Sequence, residues 1–208
     1  MKPVIFFDWD GTLADSIQLC IEEQRETLRQ MNLPDQPDEV LALCNGPTFV
    51  EAAPLIGIPP DRVEEYCRVR SACETTLVEK SRLFPGVPEM LNELRNHADL
   101  CIVSNGMEPY IKFCVKLFGM EDVFCRVMWY HPERTKAQNL ALLMEELQPE
   151  RAVMVGDRIG DIHAGHANGI PAIAAAFGYG NDQEWAEADF RADTVEELHT
   201  QLLQWVQA

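Results

Sequence analysis

Residues 4–16 read VIFFDWDGTLADS, an apolar run that leads directly into a turn rich in carboxylates. The run Val4–Phe7 is typical of a strand that is buried on both faces of a sheet. Because side chains alternate along an extended chain, Asp8 and Asp10 are expected on one side and Trp9 on the other. Two carboxylates at the end of a hydrophobic strand repel each other, and burial disfavours the charged form of each. Such a pair needs a partner, and a divalent cation with oxygen ligands is the simplest one.

The rest of this turn indicates tight backbone packing and excludes one type of metal loop. Gly11 lets the backbone turn sharply and approach a ligand closely. Asp15 is expected to cap a following helix. A calcium loop of the helix-loop-helix type is excluded. Counted from Asp8, Leu13 and Leu19 occupy the positions that require the glycine and the bidentate glutamate.

Further along the chain, from about residue 84 onward, apolar runs alternate with helical patterns. This alternation is typical of a parallel, doubly wound α/β sheet. Polar groups follow three of the apolar runs: Asp8 after VIFF, Ser104 after LCIV and Asp157 after AVMVG. Ligands bind to such sheets at the carboxyl ends of the strands, near a switch in strand order. We therefore expect these three side chains to meet at one edge of the sheet.

The segment between the first strand and this alternating region has only helical patterns. It is interrupted by the Asn-Gly-Pro sequence at residues 45–47, which strongly disfavours a continuous helix. We predict that residues 16–82 are an inserted helical domain, and that residues 1–15 and 83–208 together form the α/β core. The insertion thus begins directly after the carboxylate-rich turn.

The composition limits the partners and the compartment. Of the 208 residues, 47% are hydrophobic, which is typical of a globular chain. The formal net charge of −17 makes nucleic acid and anionic membrane surfaces poor partners. Asp8 interrupts the first apolar run and no run approaches membrane-spanning length, so neither a signal peptide nor a membrane helix is expected. The cysteines form no C-x-x-C pair, which favours free thiols in a reducing cytoplasm over disulfides or a zinc site.

The stretch DWDGTLADS resembles the first motif of the haloacid dehalogenase superfamily of aspartate-nucleophile phosphatases, and it is most similar to the phosphoglycolate phosphatase-like branch. The later motifs of that family follow in order: Ser104 with Asn105, then Lys136, then GDRIGD with Asp157 and Asp161. The first and last motifs are specific, whereas a hydroxyl after a strand and a single lysine are weak signals alone. The resemblance covers nearly the whole chain.

The resemblance implies phosphoryl transfer through a side chain of the protein. Asp8 is the expected nucleophile and would form an aspartyl-phosphate that water later hydrolyses. Asp10 would protonate the leaving alkoxide and then deprotonate the water. Mg²⁺ would be held by the side chains of Asp8 and Asp157 and by the backbone carbonyl of Asp10, and would reduce the repulsion between the nucleophile and the phosphate.

The same resemblance assigns roles to the other motif residues. Ser104, the backbone amide of Asn105 and Lys136 would hold the phosphoryl oxygens and offset their charge. Asp161 is expected to orient Lys136 or a metal-bound water rather than to bind the metal directly.

The helical insertion resembles the mobile cap of this family, which closes over the site and contacts the leaving group. Asn45 and Gly46 fall where related proteins place a substrate-contacting loop. Arg68 and Arg70 are candidate contacts for an acidic substrate, although exposed arginines on helices are commonly only solvated.

Together these features predict a Mg²⁺-dependent phosphatase of a small phosphomonoester, such as a phosphoglycolate-like compound, a nucleotide or a sugar phosphate. A phosphosugar mutase is an alternative, although related mutases tend to carry Glu at the position of Gly156. A dehalogenase is disfavoured because Asp10 supplies an acid–base group that carbon–halogen displacement does not need. A non-catalytic phosphate-binding or regulatory protein would be expected to lack groups such as Asp8 or Lys136. We expect a cytoplasmic protein, monomer or dimer, that binds neither nucleic acid nor membranes.

Overall fold

A parallel β-sheet forms the centre of the molecule in the computed structural model, which describes residues 2–207. Within this range the strands are β1 (Val4–Phe7), β2 (Asp99–Val103), β3 (Arg126–Met128), β4 (Ala152–Gly156), β5 (Ala172–Ala175) and β6 (Phe190–Ala192). The helices of the same range are α1 (Ile17–Gln30), α2 (Asp38–Leu41), α3 (Phe49–Leu55), α4 (Val63–Leu77), α5 (Val87–Leu94), α6 (Glu108–Leu117), α7 (Lys136–Leu147), α8 (Ile159–Ala167), α9 (Asp182–Trp185) and α10 (Val195–Gln207). The strand order is β3-β2-β1-β4-β5-β6, and all neighbouring strands are parallel.

Helices cover both faces of the sheet because side chains along each strand alternate between the faces. In β1, Ile5 and Phe7 join an apolar cluster that includes side chains of α5, α6 and α10. Val4 and Phe6 join a second cluster with α7 and α8. Burying a side chain of this size stabilises the fold by about 1.5–3 kcal/mol. The parallel, doubly wound α/β fold predicted from the sequence is confirmed.

The register of the sheet brings three strand ends together. Phe7, the last residue of β1, pairs with Ile102 of β2 and with Val155 of β4. The residues that follow these strands therefore emerge side by side, with the β1 turn in the middle. The backbone amide of Asp8 extends the ladder by donating to the carbonyl of Val155 at 2.9 Å. This edge lies where the strand order switches direction, the position at which doubly wound sheets bind ligands.

Helices α1 to α4 form the insertion after β1, and residues 8–86 contain no strand. Most of its buried apolar side chains, Leu28 and Tyr66 among them, form a cluster separate from those of the sheet. Its two ends lie side by side, since the amide of Asp15 donates to the carbonyl of Arg82 at 2.9 Å. The insertion therefore has an apolar cluster of its own, and the chain enters and leaves it at adjacent points.

The start of α1 differs from the prediction. Asp15 does not cap the helix, because α1 begins at Ile17 with Ser16 in the cap position. The Asp15 carboxylate instead accepts a hydrogen bond from the hydroxyl of Tyr179 at 2.6 Å. The same hydroxyl accepts from the backbone amide of Ile17 at 3.1 Å. A tertiary contact from a distant loop therefore replaces the local capping interaction that the sequence favours.

Two short elements, α9 and β6, have no counterpart in the sequence-based prediction. Strand β6 is an edge strand with two exposed residues out of three, so it lacks the apolar run that marks the other strands. Within residues 2–207, no helix combines the length and the apolar character needed to cross a membrane. All seven cysteines are free thiols, and Cys125 is exposed.

Candidate active site

Three buried carboxylates come together at the carboxyl edge of the sheet. Oxygen atoms of Asp8, Asp157 and Asp161 lie within 4.8 Å of one another, and none of the three residues is more than 2% exposed. Asp8 and Asp157 follow β1 and β4, and Asp161 lies in the first turn of α8. The ammonium of Lys136, the first residue of α7, lies 2.9 Å from Oδ1 of Asp8 and 2.5 Å from Oδ1 of Asp161. The fold thus unites residues that are far apart in the sequence.

One ammonium faces three carboxylates, so this cluster is short of positive charge. Burial, followed by the charge of Asp161, raises the pKa of Asp8 to about 7, although Lys136 opposes the shift. Burial, followed by the charges of Asp161 and Asp8, raises the pKa of Asp157 well above its ordinary value. Burial lowers the pKa of Lys136, but the two carboxylates beside it outweigh that effect and the net direction is upward. Lys136 therefore stays a cation, and a further positive charge would stabilise the ionised carboxylates.

One carboxylate oxygen of the cluster has no partner. Oδ2 of Asp157 accepts from the amide of Tyr179 at 2.8 Å, whereas Oδ1 is buried without a hydrogen-bond partner within residues 2–207. A buried carboxylate oxygen of this kind costs free energy unless a cation or a donor binds it. Carboxylate oxygens are also the ligands that Mg²⁺ prefers in proteins. The side chains present therefore fit the Mg²⁺ ion that the sequence predicts.

Gly11 makes the close packing of this site possible. Its φ is +78°, in the left-handed region that favours glycine. A Cβ atom at this position would lie 2.3 Å from Oδ2 of Asp157. Any side chain would displace the Asp157 carboxylate, so both conformation and space require a glycine here.

Asp10 lies outside the three-carboxylate cluster. Its Oδ1 accepts a hydrogen bond from the hydroxyl of Tyr110, in α6, at 2.7 Å. Burial raises the pKa of Asp10, and hydrogen bonds from Ser16 and Tyr110 oppose the shift. Tyr110 was not predicted as a site residue, because an aromatic residue on the buried face of a helix is typical of a core position. Nothing in the local sequence indicates that its hydroxyl meets Asp10.

The second motif borders the same cavity as the two aspartates of the first. Ser104 is buried, and its hydroxyl oxygen accepts from a backbone amide two residues further along at 3.0 Å. The side-chain amide of Asn105 donates to the carbonyl of Gly46 at 3.1 Å. Both residues line a cavity that Asp8 and Asp10 also line. The end of β2 therefore borders the space beside the first motif.

The loop at residues 45–47 also lines this cavity. The side-chain amide of Asn45 donates to the hydroxyl of Ser16 at 3.0 Å. The carbonyl of Asn45 accepts from the guanidinium of Arg158 at 2.9 Å. Gly46 has a φ of +98°. Hydrogen bonds to Asn105 and Arg158 therefore tie this part of the insertion to the core.

The two arginines considered as substrate contacts lie in different environments. Arg68 is exposed, whereas Arg70 is buried and lines the cavity. Arg70 donates to the carbonyl of Cys44 and to the hydroxyl of Tyr66, each at 3.3 Å. Its guanidinium carbon lies 4.0 Å from the centroid of the Phe49 ring. The insertion itself therefore holds this side chain in place.

Two further acidic residues that line the cavity were not predicted from the sequence. Glu23 of α1 and Glu74 of α4 are both buried. In the sequence each resembles the solvated glutamates common on helices. Only the packing of α1 against α4 directs both side chains inward, and one sequence does not specify that packing.

Comparison with known proteins identifies the family. The model of the haloacid dehalogenase-like hydrolase family matches residues 5–175, which is most of the chain. The chain therefore belongs to the haloacid dehalogenase-like hydrolases, and the resemblance inferred from its motifs is confirmed.

Individual relatives carry different activities in their names. A phosphoglycolate phosphatase of Aquifex aeolicus is 30% identical over 85% of this chain and 85% of its own length. The tyrosine-protein kinase PtkA of Mycobacterium tuberculosis is 26% identical over 96% of this chain and 72% of its own length. Among solved structures, a haloacid dehalogenase-like family hydrolase of Streptococcus pneumoniae has a TM-score of 0.87 at 22% identity and covers 97% of each chain. The last likeness shows that the fold is shared along nearly the whole length.

Proposed function

We propose that this hydrolase is a Mg²⁺-dependent phosphatase of small phosphomonoesters that works through an aspartyl-phosphate. The observation that carries the proposal is the convergence of Asp8, Lys136, Asp157 and Asp161 in one buried cluster beside a cavity. A nucleophilic carboxylate, a fixed cation and an unpartnered carboxylate oxygen are the groups that phosphoryl transfer requires. The phosphatase named among the relatives supports the same reading.

Asp8 acts as the nucleophile of the reaction, and Asp10 transfers the protons. A carboxylate oxygen of Asp8 attacks phosphorus, the bond from phosphorus to the leaving oxygen breaks, and Asp10 gives its proton to the alkoxide. Asp10 then takes a proton from a water molecule whose oxygen attacks the phosphorus of the aspartyl-phosphate. Inorganic phosphate leaves, and both carboxyl groups return to their starting states. The hydrogen bond from Tyr110 at 2.7 Å supports this role by fixing the direction of the Asp10 carboxyl group.

Lys136, Ser104 and the backbone amide of Asn105 hold the phosphoryl oxygens. Lys136 is suited to this because its charge is retained in the buried site and its Nζ already lies 2.9 Å from the attacking carboxylate. Asp161 keeps the lysine in position through a contact of 2.5 Å. Donors fixed in this way stabilise the charge that develops on the phosphoryl group without reorganising during the reaction.

The side chains of Asp8 and Asp157 and the backbone carbonyl of Asp10 would hold Mg²⁺. When bound, the ion reduces the repulsion between the Asp8 carboxylate and the anionic phosphate. The free Oδ1 of Asp157 supports its part in this ligand set.

Residues 16–82 act as a cap domain over a core made of residues 1–15 and 83–208. The separate apolar cluster of the insertion and its adjacent chain crossings support this division. Closure through the loop at residues 45–47 would exclude bulk water from the nucleophile and contact the leaving group.

The mutase alternative is disfavoured by the packing around Gly156. A Cβ atom at this position would lie 2.2 Å from the Cβ of Asp161. The glutamate that related mutases tend to carry there has no room unless α8 moves. A non-catalytic role is disfavoured because Asp8, Asp10 and Lys136 are all present.

Steady-state hydrolysis of p-nitrophenyl phosphate tests the proposal. We expect turnover with Mg²⁺, none in excess chelator, and recovery when Mg²⁺ is restored. A panel of phosphorylated metabolites then ranks the substrates. Full activity in excess chelator would contradict the metal requirement, and no turnover of any phosphomonoester would contradict the phosphatase assignment.

A further inference from the structure

The cavity beside the first motif is small and is shared between core and cap. Asp8, Asp10 and Ser104 line it from the core, and Glu23, Arg70 and Glu74 line it from the insertion. Its volume is about 40 Å³. A cavity of this size has room for only a few non-hydrogen atoms. In this arrangement of the cap, the part of the substrate next to the phosphate must be short.

Glu23 and Glu74 are buried carboxylates without partners. They are 4% and 5% exposed, and within residues 2–207 neither carboxyl group is paired in a hydrogen bond or a salt bridge. Burial raises the pKa of Glu23 to about 8 and the pKa of Glu74 well above its ordinary value. Buried polar groups are normally satisfied, and burial without a partner disfavours the charged form of a carboxyl group. Two of them on the wall of a cavity indicate that a ligand supplies the missing donors.

Arg70 does not supply these donors. Its guanidinium nitrogens are directed to the carbonyl of Cys44 and the hydroxyl of Tyr66. When the Gln24 amide is oriented with its oxygen toward the arginine, that oxygen accepts from Nε at 2.8 Å. The single positive charge of Arg70 also neutralises only one negative charge when both carboxyl groups are ionised. The cap side of the cavity therefore offers two carboxyl groups whose ionised form is favoured only when a cation or further donors face them.

Glu23 and Glu74 do not form a metal site with other side chains of residues 2–207. Within residues 2–207, only Asp8, Asp157 and Asp161 bring three ligand atoms of His, Cys, Asp or Glu within 4.8 Å of one another. Glu23 and Glu74 lack a third ligand of this kind. A small organic cation, which needs acceptors but no coordination shell, fits better.

Resting on the proposed function, we infer that Glu23 and Glu74 bind a primary ammonium group on the leaving alcohol. The substrate class is then the phosphomonoester of a small amino alcohol. The ammonium brings three N–H donors and one positive charge, and that charge favours the ionised, hydrogen-bond-accepting form of the two carboxyl groups. A leaving group that ends in a carboxylate, as in phosphoglycolate, would meet two further carboxyl groups and is disfavoured. The cap therefore selects substrates by charge as well as by size.

A series of short alkyl phosphates that differ at one end tests the inference. The compounds are aminoethyl phosphate, hydroxyethyl phosphate, propyl phosphate and phosphoglycolate, which end in an ammonium, a hydroxyl, a methyl and a carboxylate. We expect kcat/KM for the ammonium ester to exceed each of the others by roughly tenfold or more, the effect of a charged hydrogen bond in a buried site. Equal values along the series, or the highest value for the hydroxyl or the carboxylate, would overturn the inference.

A matched pair of variants localises the effect. Glu74→Gln keeps the shape of the side chain but removes the charge, and it should reduce the preference for the ammonium ester over the propyl ester by roughly tenfold. Glu64→Gln makes the same change on the exposed side of the same helix and should keep the preference. Thermal unfolding of both variants verifies that they fold. An unchanged preference in Glu74→Gln, with the fold intact, would exclude this residue from the subsite.

A binding measurement tests the ammonium subsite independently of phosphatase activity. Calorimetric titration of the four compounds into the Asp8→Asn variant, with Mg²⁺ present, measures affinity without hydrolysis. We expect the ammonium ester to bind most tightly. If the wild-type protein hydrolyses neither the four compounds nor p-nitrophenyl phosphate but this order of affinity holds, the proposed function fails and the ammonium subsite stands. If p-nitrophenyl phosphate is hydrolysed but the order of affinity is absent, the subsite is wrong and the proposed function stands.

Discussion

The nucleophile can be removed without removing the contacts that hold the site. Asp8→Asn keeps the shape of the side chain, and Lys136 retains its contact of 2.5 Å with Asp161. We expect the fold to persist and kcat for p-nitrophenyl phosphate to fall by at least about 10³-fold, because an amide does not attack phosphorus. Asp61→Asn, an exposed residue of the insertion, is the matched control. Substantial turnover in pure, folded Asp8→Asn protein would assign the nucleophile elsewhere.

Tyr110 is expected to position the proton donor. Tyr110→Phe removes the hydroxyl that lies 2.7 Å from Oδ1 of Asp10 but keeps the ring in the apolar cluster. Kcat should fall by roughly tenfold with little change in KM, because the hydrogen bond orients a group that acts in the chemical steps. Tyr130→Phe, at a half-buried tyrosine, serves as the control. A rise in KM at constant kcat would assign Tyr110 to substrate binding instead.

The site residues that could be predicted from the sequence lie at strand ends, whereas those that could not be predicted lie on helix faces. Asp8 and Asp157 each follow an apolar strand, so the strand pattern alone places them at one sheet edge. Tyr110, Glu23 and Glu74 lie on helices, and their role depends on which helix face meets which neighbour. That is a tertiary property, and the local sequence of a helix does not specify it.

At the scale of elements, the loop at residues 45–47 joins the cap to the core. Gly46 has a φ of +98°, and a Cβ atom there would lie 3.1 Å from Cγ of Arg158. Gly46→Ala therefore strains the backbone and displaces the arginine that holds the loop. We expect a loss of roughly tenfold in kcat/KM for the best substrate of a metabolite panel and a much smaller loss for p-nitrophenyl phosphate.

Gly57→Ala is the control for this loop. Gly57 has a similar φ of +77°, but a Cβ atom at that position has no neighbour within 4 Å. The control therefore carries the backbone strain, about 1–2 kcal/mol, without the contact to the core. Equal losses on both substrates in Gly46→Ala would indicate that the loop supports the fold or the core chemistry and does not contact the leaving group.

Element boundaries could be predicted where the sequence contains strong local signals. Pro and Gly mark the ends of α3, and apolar runs mark the four central strands. The start of α1 and the edge strand β6 could not be predicted in the same way. The first depends on the hydroxyl of Tyr179, and the second is short and mostly exposed.

At the scale of the whole molecule, Mg²⁺ should stabilise the fold as well as support turnover. Ligands that bind the folded state raise its free energy of unfolding. A cation beside Asp8 and Asp157 also relieves repulsion between buried carboxylates. We expect the melting temperature of the wild-type protein to rise with Mg²⁺ concentration, and Asp157→Asn to lose most of that response. An equal thermal response in Asp157→Asn would remove this residue from the ligand set.

Ca²⁺ should restore turnover poorly because its larger coordination shell misplaces the nucleophile.

The stability of the whole molecule should depend on pH through Glu23. Burial opposes its ionisation most strongly, Arg70 favours the ionised form, and the charges of Asp10 and Glu22 oppose it. The pKa of Glu23 is raised from 4.5 to about 8 on folding, so between these values the folded state holds a proton that the unfolded state has lost. Stability therefore falls as pH rises through this window, by up to about 1.4 kcal/mol per pH unit. Glu23→Gln cannot lose this proton, so its free energy of unfolding should fall less steeply than that of the wild-type protein. Urea unfolding in metal-free buffer across the window measures the difference. Parallel curves for the two proteins would mean that Glu23 ionises in the folded cavity as it does in water.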